Sequence, residues 1–563
     1  MIQLFLILFC YTFSSALNNG FTVPARGWSS WYAAPDGSQV TDAFIRASAQ
    51  ALINSGLAAK KYLFVNVDEG WLKGRYDNNT IYEDLEKFPF GMEALGSYIN
   101  TLEVSPGQTM KFGLYSCRGT CQCGTDKYSG PGSHGFEALD SQWMINAGAK
   151  WLKIDSCCGS QDHATAFSDY AKFRDAINAT GQRVWFNLCG WNPWYAPADP
   201  SINYYGGFSL GNSYRIYGDG GSWTAITGAI NTMAAVGNWT RVGGYPDPDN
   251  ILGPHGTVGT VTESQARVQM VLWSMAPTQL ILGEDVTQMS QEFIETVGND
   301  ELLAINEDTP FIGAARRIVG GDLSWPCSSS NGEVLQVQTQ NCISNITQKF
   351  YFNSTDLSLR PFFNQNSMLS TQSCNFADGD IVSAFDFDKK GGGITCGGAI
   401  WQHMPNGSIV GAAGKCLDEY MWTTPRVDLW TCVSGASNEN WTFAKDQTFV
   451  ESFEFDVGYI INNDSGFCLT VSPPPSTNGC TNIWSRPLSN GDVALAFVNN
   501  GDLNVTITCN ESCFNDAGLS NAKSLKVRDL LQHVDLTPLL PPFIMNSSVE
   551  ANGAVQAYRF TPV

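Results

Sequence analysis

The sequence predicts an α/β fold: a (β/α)8 barrel followed by an antiparallel β-sandwich. Between Phe21 and about Asn306, eight short apolar, β-branched or aromatic runs alternate with helical stretches, and this alternation is typical of a parallel sheet. Nearly every run ends in polar or glycine residues, and barrel active sites lie at those carboxyl ends. After Asn306 the sequence becomes rich in Gly, Ser, Thr and Asn with short alternating strands, which indicates β-structure.

Eight strand–helix units fit a barrel spanning residues 17–310. The predicted strands lie, in order, in RGWSSW (26–31), YLFVNVDEGW (62–71), KFGLYS (111–116), WLKIDSC (151–157), RVWFNLCGW (183–191), SYRIYGD (213–219), GGYPDPD (243–249) and PTQLILGED (277–285). The candidate helices include Thr41–Ser55, Phe136–Ala147, His163–Ala176, Ser222–Ala235 and Thr262–Ser274. An open doubly wound sheet is the structural alternative, and the sequence disfavours it because no GxGxxG opens a first helix.

The region after the barrel divides into a sandwich and an insert. Residues 311–319 and 480–563 form the predicted sandwich, because IWSRPLSNGDVALAFVNNG (483–501) and the runs after it alternate at the strand period. Residues 320–473 form the insert, which contains a weak internal repeat. The repeated pairs are LQVQTQNCISNITQKFYF (335–352) with VDLWTCVSGASNENWTF (427–443), and GKCLD (414–418) with GFCLTV (466–471).

These repeats resemble the ricin-type lectin family, whose fold is a β-trefoil of Cys-linked repeats with a Gln-x-Trp signature. The signature is degraded here to Asn438-Glu439-Asn440-Trp441 and to Gln348-Lys349 before an aromatic residue. The resemblance implies a β-trefoil-like insert, and it raises the hypothesis that this insert binds glycans.

Charge and composition point to a neutral ligand. The formal net charge is −21, with only 32 Lys and Arg residues. Nucleic acids, anionic membranes and polyacidic substrates all bind basic patches, so this charge argues against them as partners.

The N-terminus is predicted to be a signal peptide of residues 1–16, because its apolar run ends in the small residues Ser14-Ser15-Ala16. A membrane anchor is the alternative, but the run is shorter than the ~20 residues that a span needs. Removal of Cys10 leaves sixteen cysteines, an even number that favours disulfides in an oxidising compartment. Asn-x-Ser/Thr glycosylation acceptors also recur along the chain. We expect secretion, or delivery to a vacuole or lysosome through the secretory pathway.

Charged side chains collect at the ends of several predicted strands. Lys153 and Asp155 in WLKIDSC share a face because side chains alternate along a strand, and a cation at this spacing lowers the carboxyl pKa and keeps the group ionised. Arg215 and Asp219 fall together at the end of the sixth run.

A glycosidase needs two carboxyl groups that flank the scissile bond. Asp247 and Asp249 also share a face at the end of the seventh run, so several strand ends offer carboxylates. Spacing alone does not choose the reacting pair.

The motifs of residues 21–310 together resemble glycoside hydrolase family 27, the family of α-galactosidases and α-N-acetylgalactosaminidases. RGWSSW is similar to its GWNSW-type opening, VDEGW to its DDGW or DDCW element, and KFGLYS followed by Thr120-Cys121 to its third-strand motif. WLKIDSC is similar to its LKxDxC nucleophile motif, RIYGD to its RxxxD acid/base motif, and GGYPDPDNILG to its WNDPDML segment. LILGEDV resembles its eighth-strand element, and WSRPLSNGDVALAFVNNG resembles its C-terminal sandwich.

At the matching positions, the resemblance implies Asp155 as nucleophile and Asp219 as acid/base. The implied sugar contacts are Trp31, Asp68, Glu69, Tyr115, Lys153, Gly190, Trp191, Arg215 and Asp249. The resemblance also implies a disulfide between Cys121 and Cys157 and a structural role for Asp247. The implied reaction releases a terminal α-D-galactose from an oligosaccharide, polysaccharide or glycoconjugate through a covalent glycosyl-enzyme, with retained configuration and without a metal or organic cofactor.

Two positions depart from the family pattern, and both concern the choice of sugar. Glu69 replaces the second Asp of the paired acids, and Gly190 stands near the expected position of the sugar O2. β-L-Arabinopyranose has the ring stereochemistry of α-D-galactopyranose without its C6 hydroxymethyl group, so the longer Glu69 favours a β-L-arabinopyranosidase as one alternative. The small Gly190 leaves room for a 2-acetamido group, and an α-N-acetylgalactosaminidase is the other.

Two further function classes stay open as alternatives. The stretch GFSLG (207–211) satisfies the GxSxG pattern of serine hydrolases, but that motif needs a strand before it and a helix after it, and the sequence predicts neither. A non-catalytic sugar-binding protein would be favoured if Asp155 or Asp219 were replaced, and both are present.

Overall fold

The structure, a computed structural model, divides the chain into a unit that contains the barrel and a unit that contains the insert. The structure describes residues 19–34, 39–124, 130–160, 163–190, 206–237, 240–255, 261–309, 315–320, 323, 334–342, 346–353, 356–362, 367–371, 376–386, 397–419, 427–446, 456–472 and 480–563. The predicted signal peptide lies outside these residues. Within them, every helix is too short or too polar to cross a membrane.

The first unit comprises the residues up to 319 together with residues 482–499 and 504–563. A parallel β-barrel occupies most of it. The barrel strands are β1 (Arg26–Ser29), β2 (Phe64–Val67), β3 (Lys111–Cys117), β4 (Trp151–Asp155), β5 (Trp185–Cys189), β6 (Ser213–Arg215), β7 (Tyr245–Asp247) and β8 (Leu280–Leu282). They are hydrogen-bonded in the order β7-β6-β5-β4-β3-β2-β1-β8. Just after β7, Ile251 bridges Leu282 of β8 in parallel, which closes the sheet. Each predicted run contains one strand, so the predicted barrel is confirmed.

Helices follow most of the strands. They are α1 (Asp42–Asn54), α2 (Gly91–Thr101), α3 (Glu137–Asn146), α4 (His163–Ala179), α5 (Trp223–Val236), α6 (Glu263–Met275), α7 (Gln291–Val297) and α8 (Asp300–Glu307). Side-chain caps fix several helix starts, because a capping oxygen satisfies a backbone N–H that has no partner within the helix. Thr41 caps α1, Ser222 caps α5, and Thr262 forms a reciprocal capping box with Gln265 at α6. These helices begin where the sequence predicted them.

Alternation along the strands builds the barrel interior in layers. The aromatic floor is formed by Phe64, Trp151, Trp185 and Tyr245. Two residues further along the same strands lie the polar side chains Asn66, Lys153, Asn187 and Asp247, and another two residues on lie Asp68, Asp155, Cys189 and Asp249. In the floor, Trp151 stacks on Trp185 at 5.5 Å and Trp185 on Tyr245 at 6.1 Å. The apolar floor therefore places the charged groups at one end of the barrel.

The C-terminal part of the first unit is antiparallel, as the sequence predicted. Its larger sheet contains the strands Arg316–Val319, Thr481–Pro487, Val493–Asn499, Ala554–Pro562, Leu525–Asp529 and Val534–Leu539, in that order. A second sheet pairs Val505–Cys509 with Met545–Val549. The buried Arg486 donates hydrogen bonds to the carbonyls of Ser274 and Met275 at the end of α6, and so connects this sheet to the barrel.

The second unit comprises residues 320–481 and 500–503. Its strands are Val334–Gln340, Phe350–Phe352, Leu359–Pro361, Ser367–Thr371, Asp380–Asp386, Gln402–His403, Ile409–Val410, Lys415–Glu419, Val427–Thr431, Trp441–Lys445, Gly458–Asn462 and Cys468–Ser472. Disulfides Cys342–Cys468 and Cys416–Cys432 join the repeated segments. The indole N–H of the buried Trp441 donates to the Leu417 carbonyl at 2.8 Å. The β-trefoil interpretation of this unit stays a prediction.

Candidate active site

Asp155 is the last residue of β4 and lies at the barrel mouth, where its side chain is largely buried. Its Oδ2 accepts a hydrogen bond from the Tyr115 hydroxyl at 3.2 Å, and its Oδ1 accepts one from the Ser156 backbone N–H at 2.8 Å. Tyr115 is on the adjacent strand β3, in register with Lys153. Two donors from different parts of the chain therefore fix the orientation of this carboxylate.

Burial and the nearby Lys153 ammonium have opposite effects on the pKa of Asp155. Burial raises the pKa of Asp155 to about 6, and the charges of Asp219 and Asp68 act in the same direction. The Lys153 ammonium and the Ser156 N–H lower this pKa, because each stabilises the ionised form. The group therefore titrates well above an exposed aspartate, and it is ionised at neutral pH.

Lys153 is paired with Asp68 rather than directly with Asp155. Its Nζ lies 2.9 Å from Asp68 Oδ2, which also accepts from the Ser29 hydroxyl at 3.1 Å. The ammonium lies 5.9 Å from the Trp31 ring centre and 5.3 Å from that of Tyr115. Burial works against the ammonium charge, but the neighbouring acids, Asp68 first, raise the pKa of Lys153 well above its usual value. The expected contacts Trp31, Asp68, Tyr115 and Lys153 thus lie together.

Glu69 follows Asp68 and points toward the loop after β3. Its Oε1 accepts a hydrogen bond from the Gly124 N–H, and its Oε2 lies 3.4 Å from the Tyr115 hydroxyl. Burial raises the pKa of Glu69 to about 7, although the Gly124 N–H lowers it. The Tyr115 hydroxyl thus lies between the carboxyl groups of Glu69 and Asp155.

The opposite side of the mouth is built around the buried Arg215 of β6. Its Nη2 lies 3.0 Å from Asp249 Oδ2 and 3.0 Å from Asp219 Oδ1. Asp249 Oδ2 also accepts from the Tyr32 hydroxyl at 2.6 Å and from the Gly220 N–H at 2.7 Å. The side chain of Asp219, in the loop after β6, is 46% exposed. Sequence reasoning missed Tyr32, which carries no motif of its own.

Asp247 braces the segment after β7, in agreement with the structural role implied for it. Its Oδ1 accepts from the Asp249 N–H at 2.9 Å, and its Oδ2 accepts from the side-chain amides of Asn187 and Gln279, each at 2.8 Å. Asp249 itself adopts φ +88°, a conformation that non-glycine residues rarely adopt. The hydrogen bonds from Asp247 support that backbone.

The expected Cys121–Cys157 disulfide is wrong. The structure pairs Cys121 with Cys158, at a Cα separation of 5.5 Å, and Cys123 with Cys157, at 5.1 Å. The two bridges are nested in the sequence: Cys157 and Cys158 pair with Cys123 and Cys121 of the facing loop. Two bridges, rather than one, therefore connect the loop after β3 to the segment that follows Asp155.

The remaining site predictions concern the end of β5. Gly190 follows β5 and is buried, whereas Trp191 lies outside the described residues. The thiol of Cys189, the last residue of β5, accepts from Arg215 Nη1 at 3.4 Å.

The buried Cys117 thiol lies 3.6 Å from Cys123 Sγ. Because Cys123 and Cys157 are disulfide-bonded, this sulfur cluster offers a metal ion only one thiolate.

A (β/α)8 barrel whose mouth holds one buried and one half-exposed carboxylate has the two acids that a barrel glycoside hydrolase needs. Residues 32–308 match the family described as Alpha galactosidase A, and residues 478–559 match the Alpha galactosidase C-terminal beta sandwich domain. A probable α-galactosidase of Dictyostelium discoideum is 31% identical over 328 residues, which cover 56% of this chain and 78% of that relative.

Two solved structures share the fold. The α-galactosidase I of Mortierella vinacea superposes with a TM-score of 0.59 at 20% identity, covering 97% of this chain and 98% of that one. A family 27 β-L-arabinopyranosidase of Geobacillus stearothermophilus has a TM-score of 0.57 at 13% identity, covering 96% and 97%. The chain belongs to glycoside hydrolase family 27, the α-galactosidase family, and is a glycosidase of the α-galactosidase type.

Proposed function

We propose that the protein releases terminal α-D-galactose through a covalent glycosyl-enzyme, with Asp155 as nucleophile and Asp219 as acid/base. The observation that carries these roles is the contrast between the two carboxylates. Asp155 is buried and held by two donors, whereas Asp219 is half-exposed beside Arg215. A nucleophile needs a fixed position, and an acid/base group must exchange protons with the leaving group and then with water.

In the first step, Asp155 attacks the anomeric carbon, and the C1–O bond to the leaving group breaks. Protonated Asp219 gives its proton to the departing oxygen, so the leaving group departs as a neutral alcohol. In the second step, Asp219 removes a proton from water, the oxygen attacks C1, and Asp155 is released. Each displacement inverts C1, so the two together retain the configuration.

The residues around the pair supply the proposed sugar contacts. Asp68, Lys153 and Asp249 present charged oxygens and N–H donors on the walls of the mouth, and charged groups form strong hydrogen bonds to hydroxyls. Trp31 lies at the rim beside Lys153, where its ring offers an apolar face to a sugar. The proposed set also includes Glu69, Tyr115, Arg215, Gly190 and Trp191, of which Trp191 lies outside the described residues.

Hydrolysis of β-L-arabinopyranosides is a second candidate function, because of Glu69. Its additional methylene carries the carboxylate to the Gly124 N–H of the loop after β3. We propose that this arm fills the space beside C6 of the sugar. One carbon more in the side chain and one hydroxymethyl group less on the sugar change the difference in transition-state binding free energy between the two substrates by ~1–3 kcal/mol. That difference is enough to reverse which substrate is preferred. An α-N-acetylgalactosaminidase is a further alternative, because the small Gly190 would leave room for a 2-acetamido group on the sugar.

The experiment that separates these substrates measures kcat/KM for nitrophenyl α-galactoside and nitrophenyl β-L-arabinopyranoside in wild type and Glu69→Asp. Shortening the side chain withdraws it from Gly124, so the ratio should move toward the galactoside by ~10-fold or more. Glu103→Asp, the same shortening at an exposed position on the short strand Glu103–Ser105, is the matched control. An unchanged ratio in Glu69→Asp would show that Glu69 does not select at C6.

The insert is proposed to bind glycans as an accessory module. In this second unit of the chain, Asn438 Nδ2 donates a hydrogen bond to Asp418 Oδ1. Trp430, on the strand adjacent to that of Asp418, is only partly buried. A polar pair and a partly exposed aromatic ring on the adjacent strand suit a sugar. Trp430→Ala should leave turnover of small aryl galactosides intact and weaken retention on immobilised galactose-bearing polymers. Equal loss of both would mean that the insert contributes to catalysis.

The disulfides also support the proposed route through the secretory pathway to the medium or to a vacuole or lysosome. Cys121–Cys158, Cys123–Cys157, Cys342–Cys468, Cys416–Cys432 and Cys509–Cys513 are bonded. Disulfides of this kind persist in oxidising compartments.

A further inference from the structure

Three potential metal ligands converge outside the active site, on the outer face of the barrel. His134 precedes α3, Glu137 is the first residue of α3, and Asp169 is in α4. One donor atom from each lies within 4.8 Å of the other two. His134 is exposed, whereas Glu137 is 7% exposed and Asp169 2% exposed. The cluster therefore has two buried carboxylates and one imidazole that is open to solvent.

One oxygen of this cluster has no hydrogen bond although it is buried. Among the residues that the structure describes, none donates a hydrogen bond to Glu137 Oε1, and its ion pair with Lys172 Nζ is long, at 3.7 Å. A buried carboxylate oxygen that has only a long ion pair is incompletely compensated for its lost hydration, so it indicates a position where a cation could be held more closely. Lys172 is half-exposed and lies 2.9 Å from Asp169 Oδ1.

We propose that His134, Glu137 and Asp169 form a Zn²⁺ site. Imidazole nitrogen and carboxylate oxygen are both ordinary zinc ligands, and three protein ligands leave a fourth position for water. With metal–ligand bonds of ~2.0–2.2 Å, tetrahedral ligands lie ~3.3 Å apart. The three side chains therefore need to close by roughly 1.5 Å, while the flexible Lys172 side chain moves out to solvent.

The site is connected to the nucleophile segment through Arg118. Its Nη1 lies 3.3 Å from Asp169 Oδ2, its Nε donates to the Ser156 hydroxyl at 3.1 Å, and its Nη2 donates to the Ser160 carbonyl at 2.7 Å. Zinc draws Asp169 toward the ion and away from this guanidinium. Arg118 then holds Ser156, whose N–H orients Asp155, less firmly, so zinc should lower kcat.

The test titrates full-length protein with ZnCl₂ against a chromophoric zinc chelator at neutral pH. Wild type should bind one ion, and His134→Ala should bind it at least ~10-fold more weakly, because a ligand is lost. Lys172→Ala should bind it roughly 10-fold more tightly, because a competing charge is removed. His255→Ala, an exposed histidine in another loop, is the matched control and should match wild type.

The pattern of the variants decides the proposal. Equal zinc affinity in wild type, His134→Ala and Lys172→Ala would overturn it, since zinc would then bind elsewhere. Basal turnover of the aryl galactoside by His134→Ala should equal that of wild type, with zinc inhibition lost. Zinc inhibition that persists in His134→Ala would overturn the connection through Arg118, whatever the binding result.

Discussion

The two halves of the barrel mouth hold their carboxylates in different ways. On the β3–β4 side, Asp155 is buried, receives two hydrogen bonds, and lies two and three residues before Cys157 and Cys158, each of which forms a disulfide. On the β6 side, Asp219 lies in a loop with its side chain 46% exposed, beside Arg215. This difference is the one that the proposed roles require, since a nucleophile needs a fixed position and an acid/base group must exchange protons with the leaving group and with water.

Asp155→Asn should have the largest effect, because the variant keeps the volume of the side chain and removes the attacking oxygen. Loss of an essential nucleophile costs at least ~10⁴-fold in kcat. The measurement is kcat for an aryl α-galactoside, with thermal unfolding as the control for folding. Near-normal turnover by a folded variant would contradict the assignment of Asp155 as the nucleophile, and with it the proposed difference between the two halves of the mouth.

Asp219→Ala should have a smaller effect that depends on the leaving group. Loss of general acid–base catalysis costs ~10²–10⁴-fold, and an activated aryl leaving group needs little protonation in the first step. Added azide should restore turnover and give α-galactosyl azide, because azide replaces water in the second displacement. A variant that azide does not rescue would count against Asp219 as acid/base.

Lys153→Met should shift the acid limb of the pH dependence of kcat/KM, which we assign to Asp155 on the β3–β4 side of the mouth. Removal of the ammonium takes away a charge that lowers the pKa of Asp155 from the value that burial favours. The acid limb of kcat/KM, expected near pH 6 in wild type, should move upward by ~1–3 units. The control is Lys60→Met on the outer surface, where Lys60 pairs with Asp300. An acid limb that stays in place would show that Asp155 does not produce it.

The barrel could be predicted from sequence because strand alternation and helix caps are local signals. Trp151, Lys153 and Asp155 share one face by alternation alone, and Thr41 and Thr262 mark their helix starts. The candidate site residues were predicted from the resemblance of the strand-end motifs to those of the family. Local pattern therefore accounts for the predicted fold, whereas the choice of Asp155 and Asp219 among the carboxylates came from the family resemblance.

Contacts between distant segments could not be predicted in the same way. The pairing of Cys121 with Cys158 depends on how two loops face each other, and four cysteines allow three pairings. Tyr32 meets Asp249 only because the segments after β1 and β7 converge at the mouth. The hydrogen bond from Gly124 to Glu69 is also invisible in sequence, since it joins a backbone N–H to a side chain from another loop.

The most direct test of the central claim is to trap the glycosyl-enzyme. A galactosyl fluoride that carries a second ring fluorine reacts with the nucleophile and is released slowly, so the labelled peptide can be identified by mass spectrometry after proteolysis. Our account predicts one equivalent of galactosyl label, on Asp155. A label on Asp219, Asp68 or Glu69 would contradict it.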